Sequence, residues 1–336
     1  MNEIILYCLI VFLLLFLNAK ISYKLNLIDR PNKRKIHSTV TVFTGGIALS
    51  IALIFSIFVT DISSHNLNLI FSIGFLISIV GFIDDKFDLN AGSKLSLQII
   101  PIFYLIVIQN FYLIHLGDYH YFKIELGAFV LPFTLISILF LINAFNYFDG
   151  MDGTLSFTTI SVLVILFFLN SNQDLQYFLI IILISLIIFL FFNFSIFKLP
   201  KMFLGDSGSL LIGFIVSFTL IHIANKNLIH PILLAWSIAI FVYEFLSINL
   251  IRLKNKKNLF RAGQDHLHHI LFDKTKSIFL TNFFITLMNI ILFTIGYLSF
   301  SLINPLVSLI LYTFMFIIFF IFRCKYSKNE IKIKII

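Results

Sequence analysis

YFLIIILISLIIFLFFNFSIF, residues 177–197, runs for 21 positions without a charged side chain. A hydrocarbon core about 30 Å thick takes ~20 apolar residues of helix to cross, so this stretch alone has the length of a membrane span. Ten further runs share its character: residues 4–19, 41–60, 67–83, 95–114, 127–145, 154–170, 207–224, 228–250, 278–300 and 302–322. None shows the alternating ~10-residue segments of a membrane β-barrel. Of the 336 residues, 60% are hydrophobic and 12% charged, and a soluble domain carries roughly twice that charged share. A soluble enzyme and a disordered chain are both excluded. The 43 phenylalanines read as lipid-facing bulk. The expected fold is all-α: a polytopic integral membrane protein of about eleven transmembrane helices, one domain over residues 1–336. The first run follows Glu3 with no basic segment before it, so it reads as a retained helix and not as a cleaved signal.

The charges set an orientation. Of the 24 lysines and arginines, all but Lys123 and Lys226 follow odd-numbered runs or lie in the tail. The positive-inside rule then places the odd connections and the C-terminus in the cytoplasm and the N-terminus outside. The net charge of +8 sits in short loops between spans, which points to anionic lipid headgroups and a phosphorylated substrate and away from nucleic acid. Cys8 and Cys324 lie near opposite ends of the chain and read as inert thiols. Asp84, Asp85, Asp88, Asp149, Asp152, Asp206 and Asp265 all fall in odd connections or at their helix junctions. Segments far apart in the chain therefore share one membrane face, rich in carboxylates and ringed by bases.

Four local clusters carry the chemistry. In GFIDDKFDL, residues 81–89, Asp84, Asp85 and Asp88 crowd one region if the helix continues, which is unfavourable without a cation. Mg²⁺ is the natural hard partner for such oxygens, above all beside a phosphate. In NAFNYFDGMDG, residues 143–153, Asn143, Asn146, Asp149 and Asp152 supply more oxygen ligands than a plain turn requires. FLGDSGS, residues 203–209, opens a run with small residues, an arrangement suited to phosphate at a helix start; Asp206 is either a metal ligand or only a helix cap. HLHH, residues 266–269, ends a basic loop and reads as a cationic phosphate-binding lid, since the surrounding acids favour an oxygen-rich magnesium site over zinc. The remaining histidines, His65, His115, His120, His222 and His230, read as structural. Glu244 is the only acid inside an expected span, which marks it as functional or paired.

Taken in order, these motifs resemble the polyprenyl-phosphate N-acetylhexosamine-1-phosphate transferases. The resemblance covers DRPNKRKIH at residues 29–37 with Gly45-Gly46, then Asp84-Asp85 with Asp88, residues 143–153, residues 203–209, and His266-x-His268-His269. The closing HLHH looks like the branch that begins surface polysaccharides such as O-antigen and teichoic acid linkage units. The muramoyl-pentapeptide branch usually carries three adjacent histidines and a Gly-Thr-Pro-Thr stretch, and this chain has neither. The resemblance implies transfer of an N-acetylhexosamine 1-phosphate, with GlcNAc-1-phosphate as the default, from a UDP-N-acetylhexosamine to undecaprenyl phosphate, with loss of UMP. It also implies Mg²⁺, with Mn²⁺ as a substitute, a bacterial cytoplasmic-membrane setting with the site facing the cytoplasm, and room for a homodimer.

Residue roles follow the same resemblance. Asp206 is the expected metal ligand, with Asn146 or Asp149 beside it. Asp84 and Asp85 would act in lipid-phosphate deprotonation, metal binding or both. A phosphate monoester is already largely ionised at neutral pH, so an electrostatic and positioning role is favoured for that pair. Lys94 would contact the diphosphate and Phe203 would stack on uracil. Asp152 would hold the nucleoside or the loop, Asn143 belongs to the same substrate-binding stretch, and Arg261, His266, His268 and His269 would close over the UDP part. Two departures stand out. Gly263 replaces a frequent Asp, and Phe241-Val-Tyr-Glu244 replaces Pro-x-x-Asp, keeping the acid one methylene longer. A cation transporter is the competing reading; it predicts acids at mid-membrane, whereas these lie at helix ends. A lipid-anchored scaffold would need no such Asn/Asp/Gly clusters.

Overall fold

A backbone in hydrocarbon must satisfy its own N–H and C=O groups, and a helix does so within one segment. Each of the eleven apolar runs accordingly falls on helix in the computed structural model, which describes residues 2–30, 40–60, 62–256 and 265–333. The helices are α1 (Asn2–Lys24), α2 (Gly45–Val59), α3 (His65–Phe87), α4 (Ala91–Phe103), α5 (Val130–Asn146), α6 (Thr154–Leu169), α7 (Gln173–Asn193), α8 (Gly205–Asn225), α9 (Pro231–Ser237), α10 (Ala239–Lys254), α11 (Leu267–Thr275), α12 (Ile278–Leu302) and α13 (Pro305–Ile333). Two antiparallel ribbons complete the fold: β1 (Ile28–Asp29) with β2 (Thr41–Val42), and β3 (His115–Asp118) with β4 (Lys123–Glu125).

The chain is a multi-pass membrane protein, although its helices do not all meet the length of a span. Eight of the described helices are long and apolar enough to cross alone, and α9 with α10, bent by 71°, makes up to a ninth. α2 and α6 are apolar but have 15 and 16 residues, about 22–24 Å at the helical rise. The ninth run breaks at Ser237–Ile238, where the freed Ser237 carbonyl is taken by the Asn289 side chain of α12 at 3.1 Å, the kind of compensation a broken helix in a membrane requires. The third run continues beyond residue 83 through both aspartates to Phe87 and stops at Asp88, whose φ of 52° is left-handed. The fourth run starts earlier than read from sequence and ends sooner. Pro101 lies inside α4, a wide helical turn follows at Tyr104–Ile108, and the chain then leaves for β3.

α8 is the axis of the bundle. Of its most apolar window, 94% is buried, against 11% for α13 at the periphery. It packs along α3 and α5 and against α2, and small residues permit the approach. A Cβ on Gly46 would stand 2.0 Å from the Gly208 nitrogen, and one on Gly213 would stand 2.8 Å from the Ile142 Cα. Backbones at this separation fix the ends of α2, α3, α5 and α8 relative to one another, and those ends carry the polar motifs.

Candidate active site

Asp206 lies in the first turn of α8, and its side chain is free for other work because a different helix supplies the cap. No side chain at the Leu204 cap position bonds into α8. Instead Asp85, from the last turn of α3, accepts the Asp206 N–H at 2.9 Å and the Ser207 N–H at 3.1 Å. A carboxylate there satisfies two orphan donors and meets the positive end of the helix dipole. Two glycines make room for it. A Cβ on Gly81 would lie 2.4 Å from the Asp206 carbonyl oxygen, and one on Gly205, whose φ of +71° is itself glycine-favouring, 2.6 Å from Asp85 Oδ2.

The Asp206 carboxylate joins α4 and α5 directly. Oδ2 pairs with the Lys94 ammonium, and Oδ1 accepts from Asn146 Nδ2 at 3.0 Å. Asn146 also donates to Ser209 Oγ at 2.8 Å. Lys94 sits on the first turn of α4, whose start is set by Asn90 accepting the Ser93 N–H at 2.9 Å. Its ammonium also reaches Asp84 Oδ2 at 2.7 Å, while Asp84 Oδ1 accepts the Leu89 N–H at 2.9 Å. Asp84, Asp85, Lys94, Asn146 and Asp206 thus converge from α3, α4, α5 and α8. Asp88, turned away by its left-handed backbone, is exposed and stays outside this group.

Asp149 lies in the turn after α5. Burial pushes its carboxyl well above the usual carboxylate range, and Asp206, Asp85 and Asp152 push the same way, so it faces the same set of acids. Asp152 is held by an ion pair to Lys201 at 2.7 Å and by Asn282, which donates to its carbonyl at 2.8 Å. The Lys201 ammonium also sits 5.6 Å from the centre of the Phe203 ring. Phe203 is pinned through its backbone, donating to the Val42 carbonyl at 2.8 Å and accepting the Gly45 N–H at 3.0 Å. Asn143, one turn before Asn146, donates back to the Leu139 carbonyl of its own helix at 2.7 Å. Lys201 and Asn282 were not among the residues picked out by sequence, and Ser209 entered only as the end of the 203–209 stretch. Of the first two, Lys201 left a local signal, a base two positions before Phe203.

The histidine cluster closes the same end of the bundle. His266 precedes α11, its ring nearly parallel to that of His268 at 5.5 Å, with His268 and His269 at 4.3 Å. A Cβ on Gly150 would fall 2.2 Å from His268 Nε2, so the cluster abuts the turn that carries Asp149. Burial pushes His266 down to about 3 and His268 well below its ordinary value, and His269 shifts the same way. Burial thus disfavours protonation of the imidazoles, and a fixed positive charge beside them comes from Arg252, which grips Asp265 with both Nε (3.1 Å) and Nη2 (2.7 Å). Arg261, Gly263 and residues 31–37 of the first motif lie outside the described residues.

Among the described residues no three His, Cys, Asp or Glu side chains stand ready-made around one metal position. The donor chemistry nevertheless fits a hard cation. Asp84, Asp149 and Asp206 with Asn146 offer oxygens, their acids outnumber the one lysine among them, and the Lys94 ammonium bridging Asp84 and Asp206 already occupies a place where positive charge is required.

Fold and site together define a class: a multi-pass membrane protein that gathers acidic, amide and basic groups at one end of its bundle, around helix ends suited to phosphate. Residues 67–224, which hold most of α3 through most of α8, match the model of glycosyl transferase family 4. It is 27% identical over 277 residues to the undecaprenyl-phosphate alpha-N-acetylglucosaminyl 1-phosphate transferase of Yersinia pestis, covering 80% of this chain and 76% of that one. Identity to the protein of the same name from Salmonella typhi is 28% over 281 residues, covering 81% and 76%. A probable undecaprenyl-phosphate N-acetylglucosaminyl 1-phosphate transferase of Bacillus subtilis is 25% identical over 261 residues, covering 75% and 71%.

Proposed function

We propose that this protein transfers an N-acetylhexosamine 1-phosphate, by default GlcNAc-1-phosphate, from a UDP-sugar to undecaprenyl phosphate, and so begins a cell-surface polysaccharide. The observation that carries the reading is the convergence of Asp84, Lys94, Asn146 and Asp206 from four helices, in a chain whose relatives bear the names given above. The bias of basic residues toward odd connections supports a site facing the cytoplasm of a bacterial inner membrane.

The reaction joins two anions. A phosphate oxygen of the lipid attacks the sugar-bearing phosphorus, the bond from that phosphorus to the bridging oxygen breaks, and UMP leaves with the electron pair. The chain's task is positioning and charge neutralisation. Lys94 presents an ammonium between Asp84 and Asp206, where it meets a diphosphate. Asp85, which accepts two backbone N–H groups, holds Asp206 in place, and this supports an electrostatic and positioning role beside a lipid phosphate that arrives already ionised. Phe203 offers a ring fixed by its backbone for the base of the nucleotide, and Asp152, tethered by Lys201, stands beside it. Asp206, Asn146 and Asp149 would hold Mg²⁺, which when bound supplies the positive charge that offsets the two phosphates.

The test is UMP release by purified protein with undecaprenyl phosphate, Mg²⁺ and a panel of UDP-N-acetylhexosamines. Release with at least one donor, abolished by removing the divalent ion or the lipid, is expected. No release with any donor would end this reading.

A further inference from the structure

Glu244 and Arg323 are buried together, at 1% and 2% exposure, on helices that meet 79 residues apart in sequence. The pair is bidentate: Arg323 Nε donates to Glu244 Oε2 at 2.8 Å and Nη2 to Oε1 at 3.0 Å. Ion pairs this deep often stabilise a fold no better than apolar residues of the same size, so their position calls for a separate reason. Each member spends a further bond on the same short segment. Glu244 Oε1 accepts the Leu267 N–H at 2.7 Å, and Arg323 Nη2 donates to the Asp265 carbonyl at 2.5 Å. Leu267 is the first residue of α11, where His266 provides no side-chain cap, so Glu244 satisfies one of the four orphan donors of that helix. Arg252 takes the Asp265 side chain and lies 5.7 Å over the Tyr147 ring, which in turn meets the His266 ring edge-on at 4.8 Å.

We propose that the Glu244–Arg323 pair is a positioning clamp that sets the histidine cluster over the nucleotide end of the active site, which makes the C-terminal helix α13 part of the substrate-binding machinery. The clamp holds the backbone on both sides of His266, the carbonyl before it and the N–H after it. Among the described residues its hydrogen bonds go to the Asp265 and Leu267 backbone and not to the acids around Asp206. Its loss therefore loosens donor binding far more than acceptor binding or turnover. This inference rests on the transferase reading for its kinetic arm but not for its structural one.

Arg323→Lys keeps the charge and removes the fork; Glu244→Gln keeps an acceptor and removes the charge. For both, a rise of about tenfold or more in KM for the UDP-sugar is expected, with kcat and KM for undecaprenyl phosphate changed less than about threefold. Hydrogen exchange read by mass spectrometry should rise in peptides spanning 265–272 and stay unchanged in α3 and α8. Exchange at 265–272 equal to wild type, or exchange and melting altered across the whole bundle in both variants, would overturn the clamp. If wild-type protein releases no UMP, the transferase reading fails while the exchange measurement still decides the clamp.

Discussion

The candidate active site is assembled by two different means. Its carboxylate half is built from helix ends packed backbone to backbone, with Gly46, Gly81, Gly205 and Gly208 leaving no room for a Cβ. Its histidine half is held through long side chains, Glu244, Arg252 and Arg323, that grip one short segment. Close backbone contact transmits any change rigidly, because interiors at this density have no slack. Side-chain tethers have rotamers to lose and can be loosened one bond at a time. The first half suits groups whose spacing governs a reaction, and the second suits groups that must admit and release a ligand. The family match ends at residue 224, so the histidine half lies beyond it.

The largest effect expected is on the carboxylate half. Asp206→Asn should lower UMP release by about a thousandfold or more, the scale on which loss of one electrostatic contact to a phosphoryl-transfer centre acts. The protein should still insert and elute as a single species, because Lys94 retains Asp84 at 2.7 Å and the cap on α8 comes from Asp85. Activity within tenfold of wild type would remove Asp206 from the site and leave the helix junction as scaffold alone.

Gly46→Ala tests whether the junction is as unyielding as the contacts imply. The new methyl group would meet the Gly208 nitrogen at 2.0 Å and its Cα at 2.3 Å, both backbone, so α2 and α8 must separate. A cost on the order of 1–3 kcal/mol is expected from overpacking, read as a lower melting temperature in detergent. Activity should fall along with it, because the Asp206 turn moves with α8. Gly92→Ala, whose nearest neighbour would be a side-chain oxygen at 3.3 Å, is the control and should melt within a degree or two of wild type. Equal behaviour of the two variants would erase the distinction drawn between the halves.

That distinction was only half legible in the sequence. Asp84, Asp85, Asn146, Asp149 and Asp206 could be assembled on paper because each sits at the end of an apolar run, and counting runs says which ends share a face. Rotation about each helix axis is not written in that count. For this reason the Asp85 cap on α8 did not show, since it depends on which side of α3 faces Gly205. Nor did the bond from Asn146 to Ser209. Glu244 announced itself as an acid within a span, and its partner had a signal too: Arg323 is the first base beyond the last apolar run. Pairing the two required knowing that α10 and α13 are neighbours. The break at Ile238 was invisible because Asn289, which satisfies the freed carbonyl, arrives from another helix. The two short ribbons carry too few residues to stand out from loops.

The histidine half offers the subtlest test, and its sign follows from proton linkage. Burial holds His266 at about 3, with Arg252, His269 and Arg323 adding to the depression and Asp265 opposing it. An unfolded histidine takes a proton near 6.5. Above that pH neither state is protonated at His266 and there is no linkage cost. Between about 6.5 and 3 the unfolded chain binds a proton that the folded chain refuses, so stability falls as pH falls, with a limiting slope of ~1.4 kcal/mol per unit for one such group. His266→Asn removes that group, and asparagine is a favourable residue at the position before a helix, so the variant could melt higher at every pH for an unrelated reason. The informative quantity is therefore the slope. Between pH 7 and 5.5 the melting temperature of the wild type should fall more steeply than that of the variant, by an amount on the order of 1 kcal/mol at the acidic end. Parallel curves would mean that His266 takes up its proton in place, and the side-chain-tethered half would then be loose enough to rehydrate a buried imidazole without unfolding.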